Sequence, residues 1–440
     1  MPAASVQVCC ASRLGGRDGS LQFDLTPEPR NIILISRDIQ GIIISCCCRC
    51  QIPEESPVMR PVDSSLGDEV VLEASALQQL LEVLSGQGYQ LVGPTLRHGS
   101  LVYDRLTSPA DLPRGWGDQQ EGGVFRLRPL KEPAIFGYGV GQKSWKEFLY
   151  PPRRRLWLAR QEAEGLQILP PDDDAVNFAF IGVHPCDLHA IAIQDKVFLE
   201  GPHIDPHYRA RREGAFILAV NCGHPCGTGF CVSMGTGPRA ASGYDLAMTE
   251  ILEGEKHYFV VSVGTEKGGQ VIDQLPHRQA QDPEREAAAR VVAQAAGQLG
   301  RTLDTTEIKA LLYRNYENPR WDQVAARCLS CGNCTLVCPT CFCHTVEDTS
   351  DLTGQEAERW RRWDVCYTMD FSYLHGGSVR ATPRSRYRQW LTHKLATWID
   401  QFGVLGCVGC GRCITWCPVA IDITQEVRAI RESEKSGGRG

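Results

Sequence analysis

Cysteines in the last quarter of the chain occur twice with the same spacing. Residues 328–339 read Cys-Leu-Ser-Cys-Gly-Asn-Cys-Thr-Leu-Val-Cys-Pro, and residues 407–418 read Cys-Val-Gly-Cys-Gly-Arg-Cys-Ile-Thr-Trp-Cys-Pro. Both runs follow the pattern C-x2-C-x2-C-x3-C-P, whose thiolates are typical ligands of a [4Fe–4S] cube. We therefore predict two such cubes and a function in electron transfer.

The spacing within each run predicts how its cysteines divide between the cubes. Two residues between successive cysteines let one loop reach three irons, whereas the fourth cysteine of such a run tends to ligate the other cube. One cube is then expected to take Cys328, Cys331, Cys334 and Cys417. The other is expected to take Cys407, Cys410, Cys413 and Cys338. Glycines at positions 332, 409 and 411 would let backbone amides approach the sulfur atoms.

Two other uses of these cysteines fit the sequence less well. Structural zinc usually takes two separated pairs of ligands, which two runs of four cysteines do not resemble. Disulfides are typical of secreted chains, and the N-terminus shows no signal with a charged start and an apolar core. A long chain with 21 cysteines and no such signal is typical of a cytoplasmic metal-binding protein.

Composition excludes several other classes of protein. A length of 440 residues suggests two or three domains, and 42% apolar with 22% charged residues is ordinary for a soluble globular protein. The net charge of −6 provides no basic field for nucleic acid. No run of eighteen apolar residues occurs, so the sequence predicts no membrane span.

A strand–helix–strand pattern precedes the cysteine runs. Residues 176–183 and 215–220 are apolar enough to form buried strands, and a helix is predicted at 188–197 with Asp187 as its cap. Elements of this length predict a parallel βαβ unit. The carboxyl edge of such a sheet is where α/β proteins usually build their sites.

Four further cysteines could converge at that edge. Cys186 follows the first strand, Cys222 follows the second, and Cys226 and Cys231 lie on the glycine-rich loop after it. Their thiols could ligate a third iron–sulfur cluster; the alternative is that some are ordinary half-buried core thiols. Three histidines are alternative ligands, and each alone is more often structural: His184, His189 and His224.

The pattern as a whole predicts a mixed α/β domain at residues 59–300, containing the βαβ unit. A mostly helical, ferredoxin-like domain with two clusters is predicted at 301–440, interrupted by a long insertion at 344–406. Within the first domain, leucines at helical spacing predict a helix over residues 72–84. These leucines are Leu72, Leu77, Leu80, Leu81 and Leu84.

Residues 1–58 differ from the rest of the chain, with weak periodicity and a cysteine-rich run at 46–50. Their composition favours a segment that the native protein lacks, so that translation starts at Met59. A disordered tail and a metal-binding arm are the alternatives. Three more cysteines fall outside the two runs, and packing beside a cluster or a further metal or redox role is expected for them: Cys341, Cys343 and Cys366.

Several segments together resemble a known family, the beta subunits of cytosolic sulfhydrogenases, which are multisubunit nickel–iron hydrogenases. The related A-type subunits of anaerobic sulfite reductases are similar. The specific segments are Gly-Val-His-Pro-Cys-Asp-Leu-His-Ala at 182–190, Asn221-Cys222, and Phe-Cys-Val-Ser-Met-Gly-Thr-Gly-Pro at 230–238. The two cluster runs match as well, the first continuing to Cys343 as Cys-Pro-Thr-Cys-Phe-Cys. The resemblance extends over residues 70–430.

One loop departs from the family pattern. Family members often carry Thr-Cys-Phe-Cys where this chain has Thr-Gly-Phe-Cys at 228–231. Either Cys226 replaces the missing ligand, or the third site is altered.

The resemblance implies an electron-transfer subunit rather than a catalytic one. Such subunits relay electrons between a flavin subunit that handles NAD(P)H and a catalytic subunit, here a nickel–iron hydrogenase or else a sulfite reductase. The sequence contains no Gly-x-Gly-x-x-Gly strand–turn–helix fingerprint of a dinucleotide site and no catalytic residues of its own. Two alternatives are a small-molecule reductase that acts at the middle-domain cluster and a structural zinc protein used for interactions.

Overall fold

The computed structural model describes residues 69–171 and 176–437, together with residue 67 and the segments 37–38 and 41–42. The interpretations of residues 1–58 therefore fall almost entirely outside the described residues. The strands, numbered in chain order, are β1 (Arg37–Asp38), β2 (Gly41–Ile42), β3 (Glu69–Glu73), β4 (Gln90–Arg97), β5 (Ser100–Arg105), β6 (Trp116–Glu121), β7 (Val124–Pro129), β8 (Arg153–Glu162), β9 (Gly165–Leu169), β10 (Phe178–Val183), β11 (Phe216–Val220), β12 (Leu246–Glu253), β13 (Lys256–Val263), β14 (Arg278–Gln279), β15 (His344–Ser350), β16 (Glu356–Trp363), β17 (Tyr373–Leu374) and β18 (Gly377–Ser378).

Helices lie between these strands and fill most of the C-terminal part. They are α1 (Leu77–Gly86), α2 (Lys146–Leu149), α3 (Pro185–Phe198), α4 (Pro206–Glu213), α5 (Cys231–Met234), α6 (Glu266–Ile272), α7 (Asp282–Gly297), α8 (Ile308–Arg314), α9 (Arg320–Ala325), α10 (Asn333–Leu336), α11 (Pro383–Thr392), α12 (Trp398–Phe402), α13 (Arg412–Thr415) and α14 (Ile423–Gly437). A π-helical segment, His393–Thr397, joins α11 to α12. None of the described helices is both long and apolar enough to cross a membrane.

An eight-stranded mixed sheet organises the first part of the chain, in the order β14-β3-β13-β12-β11-β10-β4-β5. Strand β10 is parallel to β4 and β11, and β11 is parallel to β12. Every residue of β10 and β11 is buried, as expected for parallel strands covered on both faces. The predicted parallel strand pair is therefore confirmed, with helices α3 and α4 in its connection.

The helix predicted over residues 72–84 begins later than expected, at Leu77. Leu72 lies instead in β3, where it pairs with Phe259 of β13. The run Val70, Val71 and Leu72 is rich in β-branched residues, which favour a strand, and all three side chains are buried. The remaining leucines of the pattern are buried on α1 and pack in the sheet's core.

Asp187 does not cap a helix. Helix α3 already begins at Pro185, with His184 as its N-cap, because proline is well suited to a first turn where no backbone N–H is needed. Asp187 therefore lies inside the first turn. It is 1% exposed and faces the cluster region.

The insertion at 344–406 contains strands, whereas a mostly helical region was predicted there. Strands β15 and β16 join β8 and β9 in a four-stranded antiparallel sheet, in the order β15-β16-β8-β9. Charged pairs lie across its strands, such as Arg155 with Glu358 at 3.0 Å and Arg160 with Glu356 at 2.8 Å. The sheet joins the insertion to residues 153–169, and the described residues from 69 to 437 belong to one unit by their contacts. The domain boundary at residue 300 stays a prediction.

Candidate metal centres

The two cysteine runs share one backbone conformation. Ser330 and Gly409 each follow the first cysteine of their run by two residues, and both have positive φ, 53° and 65°. Each donates its backbone N–H to the sulfur of that cysteine, Cys328 or Cys407, with N···Sγ distances of 3.4 Å. A glycine with positive φ then precedes the short helix α10 or α13. The repeated spacing therefore produces two equivalent loops that curl around their thiols.

One cavity collects the thiols of the first predicted set. Its walls include Cys328, Cys331, Cys334 and Cys417. Burial raises the pKa of Cys328, and the charge of Cys417 raises it further, against a backbone hydrogen bond that lowers it. Cys331 is exposed, so this cavity opens at the protein surface. The fourth cysteine of the second run thus lies with three cysteines of the first.

The fourth cysteine of the first run, Cys338, lies with cysteines of the second run. Burial raises the pKa of Cys407 to about 12, and the charges of Cys338 and Cys410 add to the increase. Burial also raises the pKa of Cys413 strongly, followed by the charges of Cys407, Cys410 and Cys338. The second predicted set is therefore brought together in space.

A third cavity lies at the carboxyl edge of the parallel strands. Its walls include the four further cysteines of the sequence analysis, Cys186, Cys222, Cys226 and Cys231. Burial raises the pKa of Cys222 strongly, and the charges of Cys231 and Cys226 add to it. The Val140 N–H donates to Cys226 Sγ at 3.2 Å; that Cys226 replaces the ligand missing from the family pattern stays a prediction.

Of the three candidate histidines, His184 is the one that lines this cavity in the described structure. Its Nδ1 lies 3.4 Å from Cys222 Sγ. Its Nε2 is buried without a hydrogen-bond partner among the described residues. Burial lowers the pKa of His184 to about 4, which favours the neutral ring.

The second set lies between the other two. Cys410 belongs to it and also lines the third cavity, while Cys413 belongs to it and also lines the first. The Phe230 N–H donates to the Gly409 carbonyl at 2.7 Å. A Cβ on Gly409 would come within 2.7 Å of the Phe230 backbone, so glycine is needed there for close approach as well as for its positive φ.

A buried ion pair ties the third cavity to the second run. Arg412 donates from both terminal nitrogens to the Asp187 carboxylate, at 2.7 and 2.8 Å, and from Nε to the Gly141 carbonyl at 2.8 Å. The two side chains are 0% and 1% exposed. Both residues adjoin cysteines within their motifs. Sequence spacing alone does not reveal that they meet.

The three remaining cysteines extend from Cys338 as a row of thiols. Hydrogen bonding with Cys341 is the largest cause that raises the pKa of Cys338, to about 12. Cys343 interacts in turn with Cys341 and Cys366, and Cys366 Sγ lies 3.6 Å from Thr335 Oγ1. These thiols therefore adjoin the second set, and whether they only pack beside a cluster or have a further metal or redox role stays a prediction.

The donors present fit iron–sulfur cubes. Fifteen cysteines of the described residues carry free thiols, and twelve of them form the three sets above. Burial and mutual repulsion disfavour the ionised forms of Cys222, Cys407 and Cys413, whereas a bound metal core stabilises thiolates. Within the described ranges, no three Cys, His, Asp or Glu side chains are grouped to hold a single metal ion. Four thiols around one cavity match the four irons of a cube, which would supply one-electron redox chemistry.

Comparison with known proteins agrees with this chemistry. Residues 327–421 match the family model described as a 4Fe-4S dicluster domain. Together with the preceding mixed α/β fold, this match defines an iron–sulfur electron-transfer protein of the 4Fe–4S dicluster class. The chain is also 32% identical to sulfhydrogenase 2 subunit beta of Pyrococcus furiosus over 290 residues, 65% of this chain and 82% of that relative. The chain belongs to the family of sulfhydrogenase beta subunits, which confirms the resemblance found in the sequence.

Proposed function

We propose that this chain is the electron relay of a hydrogenase complex and holds three [4Fe–4S] cubes in a row. The first set, Cys328, Cys331, Cys334 and Cys417, would hold one cube. The second set, Cys407, Cys410, Cys413 and Cys338, would hold the next. The third set, Cys186, Cys222, Cys226 and Cys231, would hold the last.

The observation that carries the proposal is the placement of Cys410 and Cys413. Both belong to the second set, yet Cys410 lines the third cavity and Cys413 lines the first. A cube in the second set would therefore be an immediate neighbour of both others. Electrons would pass from the third cavity through the second set to the first, or in reverse, without leaving the protein.

Two partners are proposed for the ends of this row. The similar protein is named a sulfhydrogenase subunit, which favours, for one end, a nickel–iron hydrogenase subunit. A flavin subunit that handles NAD(P)H would serve the other end. A sulfite reductase subunit is the alternative partner that the sequence resemblance leaves open, and a cytoplasmic location remains the expectation from sequence.

Anaerobic purification of the native complex tests the proposal. We expect the chain to copurify with both partners and its cubes to be reduced when hydrogen is added. In the full-length chain separated anaerobically from its partners, whose own metals would add to the count, iron and acid-labile sulfide should each reach about twelve per chain, from the four-iron stoichiometry of a cube. Zinc without iron or sulfide would overturn the electron-transfer function and favour a structural zinc protein.

Cys222→Ser tests the third cube separately. The variant is expected to lose about four irons per chain, because one ligand of that cube is removed while both ferredoxin-type sets stay intact. Metal analysis and paramagnetic resonance measure the loss. Cys366→Ser is the matched control, since Cys366 belongs to none of the three sets, and it should keep all the iron. Equal iron in Cys222→Ser and the unaltered chain would limit the protein to two cubes.

A reductase acting on a small molecule at the third cavity is the second candidate function. The partnerless Nε2 of His184 favours it, because an unused nitrogen beside a redox centre could bind a substrate. Turnover by the isolated subunit, with a chemical reductant and no partners, would support this candidate. Activity that requires the whole complex would leave the relay as the function.

A further inference from the structure

A buried lysine, Lys394, lies beside the second set. It is 2% exposed and belongs to the π-helical segment His393–Thr397. π-Helical turns are rare, and they occur frequently at functional sites. Burial of a lysine ammonium is unfavourable unless its hydrogen bonds are satisfied, so the groups around Nζ decide whether the charge is accommodated.

Three acceptors surround Lys394 Nζ. Cys338 Sγ lies at 3.1 Å, Thr340 Oγ1 at 2.7 Å and the Gly406 carbonyl at 3.2 Å. Thr340 donates its own hydroxyl hydrogen to the Gly406 carbonyl at 2.7 Å, so its oxygen can accept from the lysine. Three acceptors match the three N–H groups of an ammonium. The environment is therefore built for a charged lysine whose one N–H points at a cysteine sulfur.

A second buried lysine approaches the same cysteine without touching its sulfur. Lys146 Nζ donates to the backbone carbonyls of Cys338 and Cys341, at 3.1 and 3.2 Å. The same nitrogen lies 3.9 Å from the centre of the Trp363 ring. Lys146 thus holds the backbone of the Cys338 segment, while Lys394 acts on the thiol itself.

The three sets differ in the cationic side chains that lie near them. Among the described residues, neither the first nor the third cavity is lined by a lysine or an arginine. Arg412, which adjoins the second set, has its charge balanced by Asp187. Lys394 is therefore a cation directed at one ligand sulfur of one set.

We propose that Lys394 is a positioning residue that raises the reduction potential of the cube held by the second set above those of the other two. The inference rests on the proposed function, because it assumes that Cys338 ligates that cube. Reduction adds one electron to the cube, and a hydrogen bond to a cysteine sulfur stabilises the added negative charge. A nearby positive charge acts in the same direction, and more strongly where water is excluded. The middle centre would then hold the electron between arrival and departure.

Lys394→Met tests the inference by removing both the charge and the N–H donor while keeping an unbranched side chain. At a fixed potential, the reduced-to-oxidised ratio of one cube is expected to fall tenfold or more. For a one-electron couple that corresponds to a midpoint lower by about 59 mV. Redox titration of the anaerobic full-length chain, followed by paramagnetic resonance, measures each midpoint.

Two control variants separate the sulfur contact from other effects. Burial raises the pKa of the Cys334 thiol in the first set, and the Tyr367 hydroxyl lowers it by a smaller amount. Tyr367→Phe removes this hydroxyl and should leave the midpoint of the middle cube unchanged. Lys146→Met removes a buried cation that touches no sulfur and should shift the same midpoint less than Lys394→Met does. Equal shifts in the two lysine variants would overturn the role of the sulfur contact.

Iron content keeps the test decisive. If Lys394→Met loses iron, Lys394→Gln, which keeps an N–H donor without the charge, is titrated instead and should also lower the midpoint. Unchanged midpoints, or loss of about four irons in both variants, would overturn the inference and leave Lys394 a structural residue. An unaltered chain without iron would instead overturn the proposed function, so the two failures are distinguishable.

Discussion

Cys417→Ser is expected to lose the same cube as Cys331→Ser, although the two residues belong to different runs. Both thiols line the first cavity, and a cube that lacks one of its four thiolates is poorly held. Each variant should lose about four irons per chain. The paramagnetic resonance spectrum of the cubes that remain should be identical for the two variants.

The reciprocal pair provides the matched control. Cys338→Ser and Cys410→Ser should also share one residual spectrum, because Cys338 contributes to the pKa of Cys410 and therefore lies near it. That spectrum should differ from the first pair's. If Cys417→Ser instead matched Cys410→Ser, each run would close its own cube and the crossed assignment would be wrong.

Asp187→Ala is expected to destabilise the protein by about 3–5 kcal/mol, because Arg412 would keep a buried charge without its partner. The pair is bidentate and almost fully buried, which is the situation in which removal of one partner is most costly. Anaerobic urea unfolding of the cluster-loaded protein measures the change as a lower midpoint. Arg412→Met should have a similar effect for the same reason.

The double variant Asp187→Leu with Arg412→Met should recover most of that loss, since apolar groups of similar size often replace a buried ion pair without penalty. Glu434→Ala is the exposed counterpart, because Glu434 pairs with Arg314 through two hydrogen bonds at the surface. It should leave the urea midpoint nearly unchanged. A double variant as unstable as Asp187→Ala alone would show that the site depends on the charges themselves.

The cysteine runs were predictable because ligand spacing is a local property of the chain. The convergence of Cys186 and Cys222 also followed from sequence, since the carboxyl ends of two parallel strands meet at one edge. The capping role predicted for Asp187 was wrong because the helix already begins at Pro185; the partner that Asp187 does have, Arg412, lies 225 residues away. No local signal marks such a pair.

Long-range placement explains the other differences. Lys394 reaches Cys338 across 56 positions and through a π-helical turn, so no motif includes both residues. Strands β15 and β16 were not predicted, because their sequences are rich in charged and aromatic residues. They lack the alternation of apolar and polar residues that is typical of a half-buried strand. Their stability comes from cross-strand pairs, which depend on partners elsewhere in the chain.

The pairing of β8 with β16 has a consequence for biosynthesis. Arg155 and Glu358 meet across this edge although 203 positions separate them, so a ribosome working at about 5–20 residues per second needs roughly ten to forty seconds between them. During that interval the edge of β8 has no partner and could recruit a strand from another nascent chain. Arginines at 153, 154 and 155 place like charges along this edge, which discourages such self-association until β16 emerges.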